Sequence, residues 1–297
     1  MTQQRFLLSI DGGGALGIGP LEFLAAAERA PETREALMRV DAYAGTSVGA
    51  LLVGLRAVGY TWGEARSIFE KECARIFAPA PLWWRLNPCR PRYDGAALTR
   101  AARFYLGTVH LDRLPVPLYL PSFDFATGRP KIWGPRDDVP LAYAVRCSTA
   151  APTYFPIIDD RYGDGGLVAN NPAMVGVAGC IAEGHADMGY LWCLSLGTNG
   201  DAWRDPGVGH RTKIGWLQPL LDTFMTGNEE LGTYQARSLL GARLYRVEPP
   251  LGHEIALDDV RGALGSYRDL WVHTYAQQHP GVETWCERLR LAGESAR

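Results

Sequence analysis

Three stretches of this chain carry residue types whose order can do chemistry. The first is Gly45-Thr46-Ser47-Val48-Gly49, entered by a mostly apolar run, Val40–Ala44, and left by another, Ala50–Val58. That order predicts strand, sharp turn and helix, with the G-x-S-x-G spacing of a nucleophile elbow. A serine lifted clear of a sheet needs a strained backbone. Side chains two residues before and after it would then collide, so Gly45 and Gly49 suit the turn. The helix that follows would aim its N-terminal N–H groups and positive dipole end at Ser47. A plain Gly-rich turn between strand and helix meets the same spacing, so other residues must decide.

The second stretch is Asp11-Gly12-Gly13-Gly14, followed by Ala15-Leu16-Gly17. It sits between a buried-strand pattern, Arg5–Ile10, and an apolar run of helical spacing, Ile18–Ala27, which Pro31 ends. Gly12, Gly14 and Gly17 satisfy the G-x-G-x-x-G of a dinucleotide site. Such a site also wants an acidic residue at the end of the second strand, where this chain has Gly45-Thr46-Ser47; Asp41 lies at its beginning. The competing reading is an oxyanion hole, in which consecutive glycines bring backbone N–H groups close to a developing negative charge. The third stretch is Arg161–Pro172, RYGDGGLVANNP. Asp164 lies between Gly163 and Gly165-Gly166, where a turn aspartate is the ordinary role. Asn171 and Pro172 read as the N-cap and first residue of a helix.

These stretches need a frame. Strand, loop, helix, strand, elbow, helix is a βαβα opening. It predicts an α/β fold: a central, mostly parallel sheet flanked by helices on both faces, with functional loops at the strand C-termini. Further helices are expected over Trp62–Phe77, Gly95–Leu106 and Leu141–Cys147. Two strands are expected within Pro115–Trp133 around Ala126-Thr127-Gly128, and others at Tyr190–Leu196 and Ala242–Val247. Ser148–Pro156 is small and then aromatic, fit to line a pocket. Ala78–Asp94 reads as a Pro- and Arg-rich loop centred on Trp83-Trp84, either packed on the core or anchored at an interface. His210–Leu240 is helical with glycine interruptions. Tyr267–His279 and Val282–Leu291 are terminal helices split near Pro280. No repeat or linker divides residues 1–297, which read as a single domain.

Composition narrows the function. The 297 residues are 47% hydrophobic and 21% charged, with net charge −2. A near-neutral balance without a basic run gives no support for nucleic-acid binding. The six cysteines form no C-x-x-C and fit no zinc pattern; no metal and no cofactor is expected. Several fall in apolar runs, as buried free thiols of a reducing compartment do. No secretory signal and no span long enough to cross a bilayer is visible, which points to the cytoplasm with any membrane contact peripheral.

Taken together, Asp11–Gly17, Gly45–Gly49 and Asp164–Gly166 resemble, in order and setting, the motifs of the patatin-like phospholipase family. Cys147–Pro156 resembles that family's small-residue segment, Asp164–Pro172 its D-G-G-x-x-x-N-N-P run, and Leu194–Thr198 its following strand. The match spans roughly residues 6–199. Beyond it, residues 210–297 carry no recognised motif and are read as a helical part of the same domain. The resemblance implies a lipid acyl hydrolase acting on carboxylic esters. Ser47 would be the nucleophile and Asp164 the general base of a dyad, with an acyl-enzyme intermediate and the oxyanion held by Gly12, Gly13 and Gly14. A carboxylate of ordinary pKa, near about 3.9, is a poor base at neutral pH, so a dyad requires a desolvated site.

One position departs from the family. Many members carry Arg or Lys two residues after the third glycine, where this chain has Leu16. Without a cation there to meet a phosphate, neutral lipids and simple esters join phospholipids as substrates. The nearest rival is a Ser-Asp-His esterase, with His253 placed after the last strand. Another is a catalytically silent module that binds a lipid or a partner. Some bacterial relatives await a signal, so an activating ligand or partner is a further expectation.

Overall fold

Side-chain alternation along the first strand already calls for a covered sheet. Phe6, Leu8 and Ile10 join one apolar cluster, Leu7 joins another, and all four are buried. A strand buried on both faces belongs inside a parallel sheet with helices on each side. A computed structural model, which describes residues 3–87, 89–198, 217–252 and 255–294, has that architecture. Seven strands make one sheet: β1 (Arg5–Ile10), β2 (Ala42–Gly45), β3 (Leu118–Asp124), β4 (Arg129–Trp133), β5 (Tyr162–Gly163), β6 (Leu191–Leu196) and β7 (Leu244–Val247). Their order is β4-β3-β2-β1-β6-β7, with β5 paired to β3. The pairings from β3 through β7 are parallel. Only β4 and β5 run antiparallel to β3.

Helices α1 (Ile18–Arg29), α2 (Pro31–Met38) and α3 (Val48–Ala57) surround β2 in the chain. Next come α4 (Trp62–Ile76), α5 (Leu82–Arg85) and α6 (Ala96–Leu106), then α7 (Leu141–Ser148) and α8 (Gly166–Ala169) on either side of β5. Next are α9 (Ala173–Ala182) before β6, α10 (Leu217–Leu240) before β7, and α11 (Val260–Gly262) and α12 (Arg268–Glu294) after it. Leu21 of α1, Leu52 of α3, Phe69 of α4 and Trp271 of α12 build the larger cluster on one sheet face. Ala173 and Val177 of α9 and Ala236 and Leu240 of α10 cover Leu7, Ala44 and Cys193 on the other. Trp285 of α12 packs edge-on against Phe6 and Trp192, so the C-terminal part completes the core of the motif-bearing part.

Four local expectations are corrected. The break near Pro280 does not occur, and α12 runs through it. A helical proline lacks a donor and strains the preceding turn. Here Trp271 and Trp285 anchor both halves in the core, and Tyr245 Oη donates to the Gln278 side chain at 2.9 Å beside the interruption. Among the described residues α10 likewise continues through Gly227 and Gly232, because buried Glu229, Thr233 and Ala236 hold its inner face. The helix after the aspartate starts at Ala173, one residue later than expected, with Asn171 Oδ1 accepting from its N–H at 3.0 Å. The stretch 78–94 also contains the short α5.

Register matters most for the site. Ile10 stands opposite Gly45 of β2 and opposite Leu196 of β6. Three strands therefore end level, and the loops that follow them meet at one edge of the sheet, the usual place for function in such folds. Close approach is built in: a Cβ on Gly49 would lie 2.1 Å from the Ile10 carbonyl oxygen. Gly49→Ala is expected to cost about 4 kcal/mol or more, a fall in Tm of about 10 °C. Gly63→Ala, in α4 with open space around it, should be neutral or stabilising by up to about 1 kcal/mol. Thermal melting of the two variants checks the contrast; equal melting would mean that the elbow tolerates a side chain there.

Candidate active site

The elbow has the geometry its glycines require. Ser47 joins β2 to α3 at φ 53°, ψ −120°. Such a backbone costs a non-glycine residue about 1–3 kcal/mol and needs bracing. Thr46 supplies it: its N–H donates to Ile10 O at 3.2 Å, its hydroxyl donates to Ala169 O, and its carbonyl accepts from Gly49 N–H at 2.7 Å. The Ser47 N–H donates to Ser148 Oγ at 3.1 Å. A Cβ on Gly45 would come within 2.6 Å of the Gly49 carbonyl, so both flanking positions admit only glycine.

Asp164 stands directly beside the serine. Ser47 Oγ donates to Asp164 Oδ2 at 2.7 Å, and Gly166 N–H donates to Oδ1 at 2.7 Å. The backbone is fixed on both sides, with Asp164 N–H on Ala150 O and Gly165 N–H on Ser148 O, each at 3.0 Å. Gly165 lies so close to Pro121 O that a Cβ would reach 2.4 Å from it. Burial pushes the Asp164 carboxyl up to about 6. The Gly166 N–H, the Ser47 hydroxyl and the Arg146 charge pull the other way and only partly offset it. The poor match of an ordinary carboxylate to base chemistry is thus largely removed. Because the folded value lies above the unfolded one, ionising Asp164 costs stability as pH rises from about 4 through about 6.

The glycine loop faces the same site, with one change from expectation. Gly12 N–H donates to Asn170 O at 3.1 Å and is committed to that contact. Gly13 and Gly14 line the cavity with Ser47 and Asp164, and no described residue accepts from their N–H groups. Gly14 has φ +57°, and a Cβ there would meet Leu257 O at 2.3 Å, so the turn depends on glycine. Gly17 lets α3 approach, its missing Cβ being filled by Val48. Leu16 points away from the site and is completely buried in the core.

Asp11 is not part of the cavity wall. Its Oδ2 accepts from Arg246 Nη2 at 2.6 Å, beneath the loop, and burial pushes its carboxyl up to about 7 against the pull of Arg246. Arg246 also pairs with Glu248 at 2.8 Å and Glu229 at 3.3 Å, and donates to Ser195 Oγ. Three carboxyl groups thus converge on one buried guanidinium. Burial and its acidic neighbours raise Glu229 well above the usual carboxylate range. Glu229 accepts from Asn170 Nδ2 and Asn228 Oδ1 from Asn170 N–H, so α10 holds the carbonyl that occupies Gly12.

Above the dyad lies a cavity of about 50 Å³ walled by Val48, Leu51, Phe69, Ile76, Phe77 and Leu98. Thr149, Ala151, Tyr154 and Phe155 complete it, as their small-then-aromatic order suggested, with Met225 and Leu257. Sequence reasoning missed Ser148, Arg146, Asn170 and Arg246. Ser148 and Asn170 lay inside noted segments. Arg146 is buried beside the dyad, its Nε and Nη1 satisfied by Thr99 and Thr149 hydroxyls at 3.0 Å, and nothing in its local sequence marks it. Among the described residues no histidine lines the cavity or bonds to Ser47 or Asp164. His253, the triad rival's candidate, lies outside them, as does His210. Five cysteines are buried free thiols and Cys89 is exposed. No helix among the described residues is long and apolar enough to cross a membrane.

The chain is 27% identical to a cGAMP-activated phospholipase of Vibrio cholerae serotype O1, covering 87% of this chain and 82% of that one. It is 28% identical to a cGAMP-activated phospholipase of Escherichia coli, over 76% and 73% of the two chains. A patatin-like protein 2 of Arabidopsis thaliana is 26% identical over 80% and 72%. The fold resembles the crystal structure of VipD from Legionella pneumophila, with TM-score 0.51, 13% identity, and 95% and 67% of the chains covered. The family model for patatin-like phospholipases matches residues 8–177, more than half of the chain. With the elbow, the glycine loop and the D-G-G run in the order that family requires, the chain belongs to the patatin-like phospholipases.

Proposed function

We propose that this protein is a lipid acyl hydrolase whose Ser47 and Asp164 form a catalytic dyad. The observation that carries the reading is the 2.7 Å hydrogen bond from Ser47 Oγ to a buried Asp164 carboxylate facing an apolar cavity. In this scheme Ser47 Oγ attacks the ester carbonyl as its proton passes to Asp164 Oδ2. The tetrahedral oxyanion accepts from the Gly13 and Gly14 N–H groups, and Gly12 holds the loop in place. Collapse expels the alcohol, which takes the proton from Asp164 and leaves an acyl-Ser47. Asp164 then accepts a proton from water, the hydroxide attacks the acyl carbon, and the fatty acid departs as Ser47 regains its proton. Arg146 acts from behind, limiting how far burial raises the base.

The apolar wall suits an acyl chain, and Leu16 leaves the loop without the family's phosphate-facing cation. Esters with small or neutral alcohols therefore join phospholipids as substrates. At about 50 Å³ the cavity is far below the roughly 300 Å³ of an ordinary ligand site, so a long chain needs it to open. The names of two relatives suggest one trigger, and activation by cGAMP is proposed here as well.

Four measurements test this reading. Hydrolysis of a short-chain fluorogenic ester should fall by about a thousandfold or more in Ser47→Ala and in Asp164→Asn; an active Asp164→Asn protein would leave the dyad wrong and bring His253 back. Asp164→Asn also removes the cost of a buried charge, so at pH 7 it should melt at least about 2 °C above the wild type. In a pH series, kcat/KM should fall about tenfold per unit below about pH 6 and be flat above it; a plateau reaching down to pH 4 would mean that Asp164 is not the base. Added cGAMP should raise vesicle hydrolysis at least about tenfold, and an unchanged rate would remove the nucleotide from the scheme.

A further inference from the structure

The stretch 78–94 carries side chains that the catalytic scheme does not use. Leu82, Trp83 and Leu86 are 67%, 65% and 73% exposed within five residues. Single exposed apolar residues are ordinary, but a cluster of three on one short turn is not. The turn that bears them is pinned. Trp84 Nε1 donates to Pro91 O at 2.7 Å, and the Arg90 guanidinium lies over both indoles, 5.1 Å from the Trp83 ring and 4.4 Å from Trp84. Residues 78–94 also hold Arg85, Arg90 and Arg92 against Asp94 alone, a formal excess of two positive charges (three minus one) on a chain of net charge −2.

This turn is tied to the mouth of the active-site cavity. Arg92 N–H donates to Thr153 O and Tyr93 N–H to Tyr154 O, each at 2.8 Å, and the Tyr93 ring packs on Phe77 and Phe155. Tyr154, Phe155 and Phe77 line the cavity. Tyr93 Oη and Arg92 both bond to Asp258, next to Leu257, whose carbonyl accepts from Ala15 behind the glycine loop. On another wall Met225 lines the cavity, while its helix neighbours Leu220 and Phe224 are exposed.

We infer that Leu82, Trp83 and Leu86, with Arg90 beside them and Leu220 and Phe224 from α10, dock the protein onto an anionic lipid surface. The inference rests on the lipid-hydrolase reading. Two features favour a bilayer over a protein partner. Exposed Leu and Trp beside Arg are the composition of an interfacial anchor, the apolar part entering the acyl boundary while the guanidinium meets phosphate. A protein seated on elements that flank the cavity would also obstruct its mouth, whereas a bilayer is both the occupant and the source of substrate. Arg90 then supplies a phosphate-facing charge at the surface, where Leu16 supplies none in the loop.

The test measures binding without turnover. Ser47→Ala protein, with and without the triple change Leu82→Gln, Trp83→Gln, Leu86→Gln, is co-sedimented with phosphatidylcholine vesicles containing phosphatidylglycerol and with pure phosphatidylcholine. The unmodified surface should bind the anionic vesicles, weakening with salt, and the triple change should reduce binding at least about tenfold. Arg90→Gln alone should cost about fivefold on anionic vesicles and nothing on neutral ones. In the Ser47 protein the triple change should leave soluble short-chain ester hydrolysis within about twofold, which also reports that the fold is intact. Equal vesicle binding with and without the triple change would overturn the inference. So would a loss of self-association on size exclusion in place of a loss of vesicle binding. Loss of ester hydrolysis in the triple variant would also overturn it, by showing that these side chains support the site itself. Failure of Ser47→Ala to abolish hydrolysis would strike the dyad and leave the binding result standing.

Discussion

A carboxylate can stand as the sole partner of a serine only where water is kept from it. Asp164 has that environment: it is buried, its two oxygens are held by Ser47 Oγ and Gly166 N–H, and its backbone is pinned to Ala150 and Ser148. Desolvation lifts its proton affinity, while two hydrogen bonds and the buried Arg146 limit the lift. The balance leaves a carboxyl raised to about 6, more basic than an exposed aspartate. The same dehydration makes the site costly to fold. The surrounding frame meets that cost, chiefly through a sheet buried on both faces and through the braced turn at Ser47.

The second constraint lies beneath the glycine loop. Arg246 joins Asp11 at the end of β1, Ser195 in β6, Glu229 of α10 and Glu248 just past β7. Burying such a cluster gains little stability by itself, because desolvation consumes most of the Coulombic gain. Its consequence is positional. Glu229 and Asn228 hold Asn170, Asn170 holds Gly12, and Thr198 donates to the Gly12 carbonyl. The loop is thereby oriented with Gly13 and Gly14 toward the cavity. The motif-free C-terminal part thus supports the candidate site through Asn228, Glu229 and Arg246.

The cavity and the turn at residues 78–94 belong together. The cavity is narrow, apolar and walled partly by aromatic rings, and those rings pack directly against Tyr93. Tyr93 is hydrogen-bonded at 2.6 Å to Asp258, the neighbour of cavity-lining Leu257. Any displacement of the turn is therefore felt by Phe77 and Phe155, which line the cavity.

The sequence by itself determined what depends on chain neighbours. Gly45 and Gly49 announced the elbow because a positive φ at Ser47 and close backbone approach follow from local sterics. The alternating and continuous apolar runs announced a covered parallel sheet because burial periodicity is a property of each strand. Asp164 was legible only through its flanking glycines and the family's order of motifs. Tertiary structure decided the rest. The bond between Ser47 and Asp164 spans 117 residues, and that between Asp11 and Arg246 spans 235. The commitment of Gly12 to Asn170, which leaves Gly13 and Gly14 facing the cavity, is equally non-local. So is the continuity of α12 through Pro280, where core packing of Trp271 and Trp285 overrode a local helix-breaking preference. Desolvation, the cause of the altered Asp164, is set by everything packed around a group, and no window of sequence contains it.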